Sequence, residues 1–468
     1  MGHMPTPHET SFVPKKNKKL VISAGIGLYP AMRHLLLLLV VGFNFRAMPA
    51  ETMSIGVARV DITPDYPVRL SGFGFRRAES EGVTQKIWAK AIVFGDEKQG
   101  PAVLITVDNL CVPDEITKEI ASRLKIKPDR LAITATHTHT APMLKNVCPT
   151  LFGTNIPPEH QANIDRYTGE FVDKLEKAAR EAIKAVAPAK VEWGLGKVTF
   201  AANRRTKGGP VDHDLPLMAI RAPDGKLRAI WFSYACHCVT LSHNKVGGDW
   251  AGYAQSTIEE DHSGCIALAS VGCGADSNPA PRGKGDAVEL ADDQGKQIAS
   301  EVKRLLGSSL KPLVDKPGVR YARLDLALDT PRSRMEWEER GKRTDAVGHH
   351  ARVSLAKLDR NETLPTKINY PIQTWVFGND LAVVFLPGET VVDYSLRIKS
   401  EFDRAWVNGY SNDGRCYIPS ERVLKEGGYE GGDAMIYYDF PQKFAPGLEQ
   451  KIMDVVAKQL PASFKKSQ

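Results

Sequence analysis

No apolar run in this chain approaches the roughly 20 residues that a membrane-spanning helix needs. The most apolar stretch, residues 35–43 (LLLLLVVGF), would rise only about 14 Å as a helix. No CxxC occurs, so the commonest cysteine-based zinc and redox motifs are missing. No GK[ST] follows any of the Gly-rich turns, which excludes a phosphate-binding P-loop. Aromatics are scarce at 8%, and no basic stripe interleaves with them. Nucleic-acid binding is therefore set aside. The net charge of +7 is itself misleading, because residues 1–50 hold six Lys or Arg against one acid. The remainder of the chain is close to neutral. There is no internal repeat and no low-complexity block.

What is present is an ordinary globular composition of 468 residues, 42% hydrophobic and 25% charged. A chain of this length buries a substantial core without disulfides or a structural metal. Its seven cysteines are read as buried core thiols. If Cys236-His237-Cys238 lies on a strand, both sulfurs point to the face opposite His237, which argues against one zinc site made of all three.

The front end has the layout of a secretory signal peptide: Met32-Arg33-His34, the apolar run, then Met48-Pro49-Ala50 before Glu51. The expectation is an exported protein with residues 1–50 as signal peptide and N-terminal extension, and residues 51–468 as the folded body. A signal anchor is the alternative, and either Met1 or Met32 could be the natural start.

Strand-like runs fall at 55–62, 88–94, 102–107, 131–136, 190–200, 216–221, 227–236, 266–271, 371–377 and 381–386. Helices are expected at 114–125, 159–186, 286–306, 390–402 and 445–459, with a charged helical stretch at 335–343. Alternation of this kind predicts an α/β fold with a mixed sheet. The polar segment 307–365 reads as an insertion.

Several chemistry-bearing clusters sit where those strands end, the usual place for ligands in α/β folds. Thr136-His137-Thr138-His139-Thr140 follows LAITA; if the strand continues, both imidazoles share one face, suiting a metal ligand beside a base. His237 ends IWFSYACH, and the Asp249 turn that follows reads as a helix N-cap or as support for a ligating His. Gly272-Cys273-Gly274-Ala275-Asp276-Ser277 has the composition of a nucleophile elbow or an oxyanion nest. Glu389 in LPGET and the turn-rich stretch from Asn408 to Ser420 complete the set.

In order, VARVDITP, LSGFG, ATHTHTAP, ANRRT, VDHDLPLMAI, IWFSYACH, GGDWAGYA, GCGADSNP, LPGET and NGYSNDGRCYIPSE make the chain resemble the neutral (non-lysosomal) ceramidase family, from about residue 55 to about 430. The resemblance implies a sandwich-like mixed-sheet catalytic domain with its site at the C-terminal strand ends. It also implies one Zn2+ per chain, held by His137, His237, Glu389 and Tyr417. His139 would transfer protons beside the metal and Arg204 would face the carbonyl oxygen. The family's nucleophilic serine falls on Asn278 in one register and on Ser277 in the next. A zinc-activated water is therefore the preferred nucleophile, with Ser277 as the covalent alternative. Only 51 residues follow Tyr417, too few for the family's C-terminal immunoglobulin-like domain.

The function implied is an exported amidohydrolase acting on an N-acyl or lipid substrate such as ceramide, with peripheral membrane contact and no protein partner. Alternatives are a zinc esterase or lactonase, an amidase for a polar substrate, or a catalytically silent metal-binding or ligand-binding module.

Overall fold

The computed structural model describes residues 52–467. The signal peptide expected within residues 1–50 lies outside them. Among the described residues no helix is long and apolar enough to cross a membrane.

Nine strands form one mixed sheet. Eight run in the spatial order Leu131–Ala135, Ala102–Val107, Trp88–Phe94, Met53–Asp61, Ala187–Lys197, Asp214–Arg221, Leu227–Tyr234, Ile266–Val271, and the short Lys311–Leu313 pairs with Ala187–Lys197. The outermost pair at each end is parallel, and the strands between are antiparallel. Each parallel pair is joined by a crossover helix, Asp114–Leu124 at one end and Asp249–Asp261 at the other, as parallel neighbours require. A second sheet runs Gly318–Ala327, Lys367–Phe377, Leu381–Phe385, Ala405–Asn408, its last pair again parallel around the helix Val392–Glu401.

Period-two alternation assigns the faces. Along Ala102–Val107, Ala102 and Leu104 join a core between the two sheets, while Val103, Ile105 and Val107 join a core beneath helices. Both faces are apolar, which is why such strands read as continuous hydrophobic runs. The inter-sheet core is rich in aromatics: Trp231 stacks on Trp406 at 4.1 Å, and Phe94 meets Trp375 edge-on at 6.0 Å. The outer face of the large sheet is covered by the long helix Pro158–Lys184, whose buried Ile164, Tyr167, Phe171, Leu175 and Ala178 recur every three to four residues. The small sheet is covered by Val392–Glu401 and Leu448–Gln459. The layers thus run helix, sheet, sheet, helix, the α/β sandwich that the sequence implies.

The segment 307–365 is woven into this frame. Lys311–Leu313 extends the large sheet and Gly318–Ala327 belongs to the small one, so the excursion narrows to a helical hairpin, Arg334–Gly341 and Ala346–Asp359. All seven cysteines are free and buried.

Candidate metal centre

Five strand ends converge on one place, and three links there tie the two sheets together. Gly409 donates its N–H to Val271 O at 3.0 Å, Asn412 donates to Ile133 O at 2.7 Å, and Thr134 bridges Ser411.

The strand Leu131–Ala135 stops before the two histidines. His137 takes a left-handed backbone (φ 58°), so the shared strand face expected for His137 and His139 does not exist. The turn itself brings the rings together, nearly perpendicular, with their Nε2 atoms 3.2 Å apart. His139 can sit here because Gly72 faces its ring. A Cβ on Gly72 would fall 2.4 Å from His139 Nδ1.

His237 also lies past the end of its strand, Leu227–Tyr234, pinned by its N–H to Ser277 O at 3.0 Å and by Trp250 Nε1 to its own carbonyl at 2.9 Å. Asp249 is not the N-cap expected from sequence. It is the first residue of its helix, and its carboxylate accepts the N–H groups of Thr240 (3.3 Å), Leu241 (2.8 Å) and Trp250 (2.7 Å), bracing the loop that follows His237.

Glu389 opens a two-residue strand paired in parallel with Tyr417–Ile418, Glu389 opposite Tyr417. Its Oε2 is 3.2 Å from His137 Nε2 and 3.2 Å from His237 Nε2. The other ring nitrogens are spoken for: His137 Nδ1 lies 2.8 Å from Leu110 O, and His237 Nδ1 lies 2.8 Å from Gly274 O. A carbonyl only accepts, so each Nδ1 carries the proton and each ring turns its Nε2 lone pair inward. Two nitrogen lone pairs and a buried carboxylate oxygen that accepts no hydrogen bond thus face one another. Such a trio suits a cation, and Arg204 Nη1, 3.3 Å from His237 Nε2, already lends positive charge from one side. Carbonyl anchoring of Nδ1 is the arrangement that orients metal-binding histidines.

Burial favours the neutral form of His237 and of His139. Burial, then the charge of Arg204, lower the His237 pKa to about 4 against the pull of Glu389. Burial and the two neighbouring histidines hold His139 well below its ordinary value.

Arg204 spans the far side. Its Nη2 donates to Tyr417 Oη at 3.0 Å, its Nη1 lies 3.3 Å from His237 Nε2 and 3.4 Å from Asn278 Oδ1, and its Nε bonds Glu430 at 2.7 Å. Tyr417 Oη is 3.4 Å from His237 Nε2. The structure therefore brings His137, His139, Arg204, His237, Glu389 and Tyr417 together. Ser277 stands differently: its Oγ is buried and makes no hydrogen bond, while the next residue, Asn278, presents its side chain to Arg204. In the Gly-rich turn before it, two of the N–H groups are already taken. Ala275 donates to Thr390 O and Ser277 to Gly274 O.

Two residues went unseen in the sequence. Glu430 holds Arg204, and Tyr438 donates its hydroxyl to Glu389 Oε1. Both lie in GGYEGGDAMIYYD, beyond the last recognisable motif, and their only signal is an unusual density of Tyr and acid in a Gly-rich stretch.

One ring nitrogen from each of His137, His139 and His237 lies within 4.8 Å of the others, and this buried group could bind a metal ion. Residues 53–272 match the family model for neutral/alkaline non-lysosomal ceramidase, N-terminal. Over that range the chain is similar to the neutral ceramidases. That matched range contains His137, His139, Arg204 and His237 and stops short of Glu389 and Tyr417. A neutral ceramidase of Drosophila pseudoobscura pseudoobscura is 27% identical over 240 residues, 46% of this chain and 33% of that protein. A neutral ceramidase of Drosophila melanogaster is 29% identical over 100 residues, 20% of this chain and 14% of that protein. The chain thus matches about a third or less of these relatives' length. Among solved structures, a ceramidase complexed with C2 superposes with a TM-score of 0.69 at 16% identity, covering 89% of this chain and 77% of the other. The neutral ceramidase of Pseudomonas aeruginosa gives 0.67 at 17% identity, covering 89% and 76%. These likenesses establish a neutral ceramidase fold.

Proposed function

We propose that this chain is a zinc-dependent amidohydrolase that cleaves an N-acyl amide bond, with a ceramide-like lipid as substrate. The observation that carries the proposal is the convergence of His137 Nε2, His237 Nε2 and Glu389 Oε2 at 3.2 Å, with both Nδ1 protons held by carbonyls. Two imidazoles and a carboxylate are a zinc donor set, and one ion would be held by these three residues with Tyr417 as the fourth. When bound, zinc supplies Lewis-acid activation of water, lowering its pKa toward about 7.

The chain's own residues do the rest. His139 turns its Nε2 edge to the cluster and its Nδ1 edge to Gly72, and burial keeps the ring neutral. It takes the proton of the attacking water and returns it to the departing amine. The Arg204 guanidinium, fixed by Glu430, faces the oxygen that gains charge as the carbonyl becomes tetrahedral. Ser277 Oγ has no hydrogen-bonded base to activate it, which supports water over serine as the nucleophile. Export through the apolar run 35–43 belongs to the same proposal. The mass of the native N-terminus tests it.

The decisive experiment is hydrolysis of a fluorescent short-chain N-acylsphingosine before and after chelation, then with zinc restored. Activity lost and regained supports the zinc amidase. Full activity in the chelated, metal-free protein refutes it. One zinc per chain without turnover would refute ceramide as the substrate while leaving the metal site.

A further inference from the structure

Glu389 has two carboxylate oxygens with opposite environments. Oε1 accepts the hydroxyl proton of Tyr438, while Oε2 accepts no hydrogen bond and faces the two imidazoles. Tyr438 ends a short 3₁₀ turn, Asp433–Tyr438, and the next residue, Asp439, turns the chain in a left-handed conformation (φ 60°). Asp439 is clamped from outside. Lys357 Nζ bonds its Oδ2, and His350 Nε2 lies 3.7 Å from its Oδ1. Both come from the helix Ala346–Asp359, the second arm of the hairpin that the sandwich does not otherwise need. The hairpin is itself anchored, since buried Trp337 of the first arm packs edge-on against His350 at 5.6 Å.

We infer that Tyr438 is the positioning residue for Glu389, and that the 334–359 hairpin sets it through the Lys357–Asp439 bond. Tyr438 occupies one carboxylate oxygen, so that only Oε2 is offered to a cation between His137 and His237. Without it, Glu389 can rotate or offer both oxygens, and the donor trio loses its geometry. A residue that orients a ligating carboxylate changes metal affinity even though it never touches the metal. This inference rests on the zinc site proposed above.

The test is a zinc competition titration of the apo protein against a chromophoric chelator, read by absorbance, alongside thermal unfolding of the same samples. Tyr438→Phe keeps the ring and removes the hydroxyl. It should weaken zinc binding roughly 10- to 100-fold while the apo protein melts like the unaltered chain. Lys357→Met should weaken binding by a smaller factor, and that factor should vanish in the Tyr438→Phe background, because both act on one carboxylate. Unchanged affinity in Tyr438→Phe overturns the inference while leaving the metal site standing. A Lys357→Met effect of equal size in both backgrounds overturns the strut. If Tyr438→Phe does not fold, Lys357→Met alone decides, and unchanged affinity there refutes the coupling. Failure of the unaltered chain to bind zinc overturns both the inference and the site on which it rests.

Discussion

Glu389 and Tyr417 face each other as register partners across a parallel ladder of two residues per strand. Partners in a parallel pair project to the same side, so this small ladder sets a carboxylate and a phenol side by side against His237. Gly388, just before it, lets the two strands approach. Gly388 is left-handed (φ 73°), Glu389 N–H reaches Cys416 O at 2.9 Å, and a Cβ on Gly388 would lie 2.7 Å from that same carbonyl.

Gly388→Ala is therefore expected to damage stability and the site together. A left-handed alanine pressed against backbone costs about 1–3 kcal/mol, visible as a lower midpoint in thermal or urea unfolding. Activity should fall even well below that midpoint, because relief of the clash moves Glu389 away from Tyr417. A variant with normal activity and a normal midpoint would show that the ladder does not set the site.

Glu389→Gln keeps the shape and removes the charge. Zinc content after gel filtration should drop from about one per chain to a small fraction, and turnover should fall by at least roughly 100-fold. If the variant keeps its zinc, the Glu389 charge is not needed to hold the metal, and His139 is the candidate to stand in beside His137 and His237.

His139→Ala separates those two roles in the other direction. As the proton-transfer group, His139 can be removed without loss of metal. Zinc content should stay near one per chain while kcat falls roughly 10²- to 10⁴-fold and KM changes little. Loss of zinc in this variant would make His139 a ligand, as the approach of one nitrogen from each ring to within 4.8 Å of the others allows.

Much of this was legible in sequence because the sandwich is built from strands buried on both faces, and such strands are continuous apolar runs. LAITA and AVLITV are buried at every position. The site residues follow those runs directly, which made His137, His237 and Glu389 visible as polar interruptions at strand ends. The face shared by His137 and His139 was misread because a left-handed backbone at a histidine leaves no mark in the residue pattern. The helix Ala346–Asp359 was missed for a related reason. AVGHHARVSLAKLD places Gly348, His349 and His350 on its buried side, where a periodicity reading looks for Leu or Ile. Tyr438 and Glu430 were invisible because each acts on a residue far away in the chain, and only the folded loop brings them near.

The buried His350 makes a pH prediction. Burial, then the nearby Arg340 and Arg332, lower its pKa to about 3. The ring is fully buried and neither nitrogen is hydrogen-bonded. Below the unfolded value near 6.5 the unfolded chain takes up a proton that the folded chain refuses, so acid favours unfolding. The loss from this group should begin as pH falls through about 6.5 and reach about 2 kcal/mol at pH 5. It stops growing only below about pH 3, where the folded chain also binds the proton. His350→Phe should flatten that part of the stability-versus-pH curve. Urea midpoints measured from pH 7 to 4 in both proteins check it, and parallel curves would contradict it.

Ser277→Ala distinguishes water from serine as the nucleophile. Ser277 Oγ is buried without a hydrogen bond, and the neighbouring side chain that reaches Arg204 belongs to Asn278. A buried hydroxyl with no partner contributes nothing favourable and carries its desolvation cost, so its removal should leave stability equal or slightly higher. In a water mechanism, turnover should stay within about threefold of the unaltered chain, because no step uses the hydroxyl. In a covalent mechanism the same substitution removes the atom that is acylated, and turnover should fall by about 10⁴-fold or more. Single-turnover kinetics on the fluorescent amide separate the two outcomes. A burst of amine release in the unaltered chain that disappears in Ser277→Ala would establish an acyl-serine and return Ser277 to the centre of the mechanism.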